Sequence, residues 1–179
     1  MSYFELSDRE LSSFLVTTRH TVLQGPVSLV RFTNAGGSHG DAPGKFDKRA
    51  GIYRAYWMYA SEVAEVLDAV AGPGPYGLKV VQEVSGRWAV CDDWNNLQRV
   101  WALNIPAGQA VHAYFGRAKF QPRASAKTQA ESGKTTNKYY DGGSMQWVVG
   151  LQHNQIAWIK GPQSTLSLSK KKLAALCKP

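Results

Sequence analysis

Cysteine is scarce in this chain of 179 residues, with Cys91 and Cys177 at no ligand spacing and able to form one bridge at most. Neither a disulfide framework nor a thiolate metal site is encoded, and two reduced thiols is the simpler reading. Long apolar runs are missing too: none approaches the ~18 residues of a membrane span, and MSYFELSDRE lacks the basic-then-apolar order of a cleavable signal. The four histidines, His20, His39, His112 and His153, form no i, i+3 or i+4 pair, so nothing argues for zinc. A P-loop is absent because Gly44-Lys45-Phe46 has no hydroxyl after the lysine and no helical pattern behind it. Acid is the minority sign, 13 Asp and Glu against 21 Lys and Arg, and the net charge of +8 favours anionic partners. The basic residues are scattered, with Lys170-Lys171-Lys172 the one triplet, so no arm or tail declares nucleic-acid binding.

What the chain does contain is an ordinary globular balance, 44% hydrophobic and 19% charged, in a length that suits one domain spanning residues 1–179. The patterning divides it into a helix-rich part, 1–75, and a strand-rich part, 76–179. Ser7-Asp8-Arg9-Glu10 is a capping box, and Leu11, Phe14, Leu15 and Thr18 share a helical face behind it, which predicts a first helix to about His20. Gly25-Pro26 breaks that helix. Val27–Thr33 then reads as a strand with Val27, Leu29 and Arg31 on one face and Ser28, Val30 and Phe32 on the other. Arg31 in so apolar a run belongs either at a cleft or acid near the strand's end, or on a solvated face.

The Gly-rich loop that follows reads as a functional lid or a mobile segment, with His39 near a ligand or simply solvated. Ile52–Tyr59 is an aromatic-dense strand leading to Ser61, a helix N-cap before Val63, Val66, Leu67 and Val70. Gly72-Pro73-Gly74-Pro75 breaks the chain again. Leu78–Val81 and Trp88–Val90 flank Ser85-Gly86 in the manner of a hairpin, and Asp92-Asp93 before Asn95-Asn96 reads as a turn rather than a metal or acid-base pair. Val100–Gly150 carries strand-like runs around Pro106-Ala107-Gly108, a polar loop, and a final strand that opens after Gly142-Gly143 with Gln146 among apolar neighbours. Leu173 to Leu176 close a short terminal helix with a basic outer face, which fits solvent or a membrane surface.

Asn104-Ile105-Pro106-Ala107-Gly108, Gly116-x-Ala118-x-x-Gln121 and Gly142-Gly143-Ser144-Met145-Gln146 resemble the C-terminal half of bacterial toxins of the ADP-ribosyltransferase superfamily. The likeness is nearest to the NAD glycohydrolase toxins of the tuberculosis necrotizing toxin type, whose last motif is Gly-Gly-x-x-Gln, and its motifs span roughly a third of the chain. The resemblance implies an α+β fold with a split, strongly bent antiparallel β core and a few packed helices. It implies NAD as substrate and cleavage of the nicotinamide–ribose bond by a secreted or delivered effector acting in a target cell's cytoplasm, with an immunity protein as a further partner.

Val30-Arg31-Phe32 looks like the family's phosphate-binding strand, with Arg54 as a competitor for that role. Tyr56, Trp57, Tyr59 and Ser61 are candidates for the nicotinamide side, Trp57 for stacking and Ser61 for register, though packing and capping explain them as well. Gln146 would hold ribose and water. A neutral amide in place of the transferases' glutamate tilts the reading toward hydrolysis, as in the glycohydrolase toxins. Gln129-Ala130-Glu131 matches the arginine-directed transferases by letter only. The chain departs from the pattern in a long insertion after the first strand and an imperfect second-strand signature.

Three alternatives remain at this stage. The basic loop 122–141 fits a transferase that modifies a nucleic-acid or protein target, or a non-catalytic nucleic-acid-binding module, or merely a solvated connection. For Gln146 itself, the alternative is a hairpin with Gln155–Lys160 around His153-Asn154.

Overall fold

The computed structural model describes residues 3–15, 18–34, 43–70, 76–90, 95–123, 126–132 and 139–178. His39, Gly72–Pro75, Cys91 and Asp92-Asp93 lie outside them. In chain order the elements begin with α1 (Asp8–Leu11), β1 (Arg19–Gln24), β2 (Val27–Thr33), β3 (Lys45–Asp47), β4 (Ile52–Tyr59) and α2 (Ala60–Ala69). They continue with α3 (Tyr76–Trp88), β5 (Arg99–Ile105), β6 (Ala110–Arg117), β7 (Gln121–Pro122), α4 (Ala126–Ser132), β8 (Tyr139–Tyr140), β9 (Met145–Leu151), β10 (Ile159–Ser164) and α5 (Lys170–Leu176). Among the described residues of 1–75 there is therefore more strand than helix, contrary to the reading of this part as helix-rich.

The main sheet runs β1-β6-β9-β4-β2-β5-β10, with β3 on β4, and its pairings are antiparallel. Alternation along β2 sends Leu29 to one apolar cluster and Val30 and Phe32 to another. The first cluster joins Leu29, Trp57, Leu103, Ile105, Val111 and Trp147. β5 and β6 are far apart in strand order, so their shared core shows that the sheet curls round until one face packs on itself. The other face is covered by α2, α3 and α5 over Val30, Phe32 and Met58. Beside them, Phe4 and Phe14 of the N-terminal segment cover Ile52, Tyr114 and Val148. Burial of these apolar surfaces is the main stabilising term.

The capping box forms: Ser7 accepts from the Glu10 amide, and Glu10 reaches back to the Ser7 amide. The helix nevertheless stops at Leu11 instead of near His20. Ser12 and Ser13 turn their hydroxyls back onto the carbonyls of Arg9 and Glu10, and the chain leaves to bridge Phe14 with Ala118. Arg19–Gln24 then pairs with β6, where a β-branched stretch gains a ladder that an isolated short helix could not match.

The hairpin expected from Leu78 to Val90 is the helix α3. Val80, Val84 and Trp88 recur at helical spacing on its buried face, a period the poor alternation of the run conceals. Ser61 is not a cap: Tyr59 holds that position with no side-chain hydrogen bond, and Ser61 is exposed one residue into α2. The hairpin of Gln146 with Gln155–Lys160 does not form either. His153–Trp158 is a 3-10 turn in which the Gln155 side chain accepts from the Gln152 amide, and β10 pairs with β5 rather than β9.

Asn104, from the first resemblance motif, has a structural task. Buried between β2 and α5, it accepts from the Ser28 hydroxyl at 2.6 Å and donates to the Leu176 carbonyl at 3.0 Å. This seats the unsatisfied carbonyl end of α5 on the sheet. Among the described residues, no helix is long and apolar enough to cross a membrane.

Candidate functional site

β2 and β4 pair at Leu29↔Tyr59 and Val30↔Met58 and then part. β2 follows β5 as far as Thr33↔Arg99, while β4 lies along β9 from Tyr53 to Trp57. The sheet is thus split beyond its second β2–β4 pair, and a cleft of about 1070 Å³ opens there. That is just above the ~300–1,000 Å³ range usual for small-molecule sites. Residues of the segment Ser7–Ser13, β3, and Trp88 at the end of α3 contribute to its wall.

Five of the seven residues singled out from the sequence border this cleft, Arg31, Arg54, Tyr56, Trp57 and Gln146, and Tyr59 does not. Nor does Ser61, since it sits on α2 beyond the paired end of β4. Arg31 is half-buried just past the last β2–β4 pair. Arg54 is engaged elsewhere. Its guanidinium pairs with Glu10 at 3.0 Å and Asp47 at 2.7 Å, and also donates to the Glu5 carbonyl at 2.9 Å. Partial burial works against the charge on Asp47, but the amides of Ala50 and Arg49, with Arg54, hold its carboxyl below the ordinary 3.8. Arg54 is accordingly a clamp between β4, β3 and the N-terminal segment, which weakens its claim as a phosphate ligand.

Trp57 is 0% exposed within the sheet's inner core, and its Nε1–H has no hydrogen-bond partner among the described residues. It offers no open ring face. Tyr56, on the opposite face of β4 and 36% exposed, offers one instead. Burial raises the Tyr56 phenol above its ordinary 10.0, opposed by the Ser13 hydroxyl 3.1 Å away. Gln146, 8% exposed, donates from Nε2 to the Ser13 carbonyl at 3.0 Å. That bond fixes the amide's orientation and leaves Oε1 as an acceptor with no protein donor among the described residues.

Ser13 was not anticipated. Its carbonyl receives both Gln146 and the Lys119 amide, and its hydroxyl meets Tyr56. Glu10 was anticipated only as a cap. No local pattern announces partners 44 and 133 residues away. The glycine pair before β9 also has a role different from ligand approach. Gly142 and Gly143 lie at φ of 68° and 90°, and their amides donate to Gly86 of α3 and to Ala118. A Cβ on Gly142 would stand 2.6 Å from the Ala118 carbonyl oxygen, so the pair fits α3 and β6 against the start of β9.

The cleft is lined by seven basic side chains and two acidic ones, and both acids, Glu10 and Asp47, are held by Arg54. An anionic ligand is the kind such a lining attracts. Outside the cleft wall, Gln129 and Glu131 fall on α4, and neither borders the cleft. Among the described residues no group of three or more His, Cys, Asp or Glu could hold a metal.

Comparison of the chain with protein-family models, curated proteins and solved structures finds nothing that matches. The functional reading therefore rests on the residues of the cleft themselves.

Proposed function

We propose that the cleft binds NAD and that the chain cleaves its nicotinamide–ribose bond, as an effector of the NAD glycohydrolase kind. One observation carries the reading. Arg31, Tyr56 and Gln146, from three strands and from both ends of the chain, converge on one basic cleft at the split of the sheet. Arg31 would meet the phosphates, Tyr56 would lie against a ring, and Gln146 Oε1 would accept from a ribose hydroxyl or from water.

In the reaction the C1′–N bond breaks, with its electron pair passing to the nicotinamide ring nitrogen. The ribose becomes oxocarbenium-like, and water adds at C1′ and loses a proton to solvent. Products are nicotinamide, ADP-ribose and H⁺. No general acid is required to protonate the leaving group, since nicotinamide departs neutral. The residue's task is to hold hydroxyls and the water where positive charge develops.

Purified protein incubated with NAD should release nicotinamide. Gln146→Ala should slow release about 100-fold, on the scale of losing one aimed polar group. Arg31→Ala should act mainly through KM. Unchanged NAD at micromolar protein, with and without cell extract, would refute the reading.

A second reading, transfer of ADP-ribose to a nucleic acid, is favoured by one patch. Phe120 and Tyr139, 51% and 52% exposed, stand edge-on at 6.2 Å, with Lys119 over Phe120 and Arg123 over Tyr140. Exposed rings interleaved with cations are the chemistry on which bases stack. Under this reading NAD consumption rises steeply when single-stranded RNA or DNA is added. A module that only binds nucleic acid would show the salt-sensitive binding and no nicotinamide.

A further inference from the structure

The N-terminal segment Tyr3–Leu15 lies across the sheet as a strap, and its Ser13 end fixes Gln146. Its other end rests on a histidine pair. His20 on β1 and His112 on β6 stand diagonally across the strand pair, where His20 faces Tyr114 and Val22 faces His112. His20 Nε2 and His112 Nδ1 are 3.0 Å apart, with the rings stacked 25° from parallel. A hydrogen bond between two imidazole nitrogens requires one to carry a proton and the other to be bare. Tyr3 packs its ring edge-on against both, at 5.0 Å and 6.1 Å. The Tyr114 hydroxyl donates to the Phe4 carbonyl at 2.9 Å and lies 3.2 Å from the Tyr3 hydroxyl. From Phe4 the strap runs through Glu5, held by Arg54, into α1 and on to Ser13.

We propose that the His20–His112 pair is a proton-sensitive catch for this strap: holding it while at most one imidazole is charged, releasing its Tyr3–Ser7 end when both are. Two imidazolium rings at this spacing have no acceptor between them and repel. Loss of that end leaves the strap held by the Glu10–Arg54 pair and, beside Gln146, by the Phe14–Ala118 bridge and the Lys119 amide on the Ser13 carbonyl. The catch belongs to the same cleft as the NAD reading but requires no NAD chemistry.

The groups around the pair leave the histidines to decide the response. Glu5 is the acid that acts on Tyr114. Burial, then the Tyr3 hydroxyl and Glu5, keep the Tyr114 phenol well above its ordinary value, so it stays neutral. Val22, Val148 and Gly150 on the same sheet face carry no charge. Partial burial, then the charges of His20 and the amino terminus, hold His112 below its ordinary 6.5. The closed form therefore takes up protons less readily than the open one. Closure is at full strength above about pH 6.5 and is lost progressively as pH falls below it.

Hydrogen exchange by mass spectrometry at pH 7.5 and 5.5, corrected for intrinsic rates, tests this in the intact chain. Leu11 and Ser12 provide hydrogen-bonded strap amides, and β9 serves as the reference. Corrected exchange in the strap should rise several-fold between pH 7.5 and pH 5.5, because the open form takes up the proton more readily. β9 should stay protected. His112→Gln and His20→Gln, which keep a neutral donor and acceptor, should each remove the rise. Equal strap protection at both pH values would overturn the proposal, as would a rise that survives in both variants or simultaneous opening of β9. None of these outcomes touches nicotinamide release, so the two readings fail separately.

Discussion

Arg54 shows how a single side chain can resemble a ligand-binding group and serve another end. In the sequence it is a cation on an aromatic strand and a competitor with Arg31 for the phosphates. In the fold it joins three segments through Glu10, Asp47 and the Glu5 carbonyl. Arg54→Ala leaves two half-buried carboxylates facing each other, and should cost on the order of 1–3 kcal/mol, read as a fall in denaturation midpoint. The pH dependence follows from Asp47, whose folded carboxyl is lowered below 3.8. Its contribution is complete above the unfolded value and disappears as pH falls through the folded one. Asp47→Asn should therefore lower the melting temperature at pH 7, and by progressively less as pH falls below 3.8. Equal shifts across that range would show that the ion pair is not the source.

At the scale of elements, the most legible stretches were those bounded by strong punctuation. Val27–Thr33 lies between Gly25-Pro26 and a Gly-rich loop, and the strand begins and ends at the expected residues. Ile52–Tyr59 and Met145–Leu151 were readable for the same reason, and with them most of one wall of the cleft. β1 and α3 were misread because their local patterns are ambiguous. Thr18 fits a helical face as well as a strand, and Leu78–Val81 reads as either until Val84 and Trp88 extend the period. Trp57 was expected at the ligand and is instead core, since alternation assigns it to one face without saying which face is open. The strap was illegible in principle, because Ser13 meets Gln146 only once the sheet has formed.

α3 also does more than cover the core. Its Trp88 indole donates to the Met145 carbonyl at 2.8 Å, and its Gly86 and Arg87 carbonyls receive the amides of Gly142 and Ser144. Gly142→Ala meets both a positive φ and a backbone oxygen, and should cost more than ~1 kcal/mol. Trp88→Phe keeps most of the packing while removing the bond to β9, and should cost about 1 kcal/mol. A chemical-denaturation series separates the two. A neutral Gly142→Ala would mean that the approach of β6 to this loop is not tight.

For the whole molecule, the excess of +8 is concentrated enough around the cleft to make ligand capture sensitive to salt. Raising sodium chloride from about 50 to 500 mM shortens the screening length from ~14 to ~4 Å. Under the proposed function, the Michaelis constant for NAD should rise several-fold while kcat stays nearly constant. A fall in kcat with constant KM would place the charge effect on the chemical step instead.

The split between β2 and β4 has a mechanical meaning as well as a chemical one. Two residue pairs join the halves of the sheet, so the halves lean on each other through little backbone at that seam. Under the proposed function, an occupant of the gap would act as a keystone, meeting the Arg31 guanidinium on one bank and the Gln146 amide on the other. A filled molecule should then melt as a single unit where an empty one yields first along the seam.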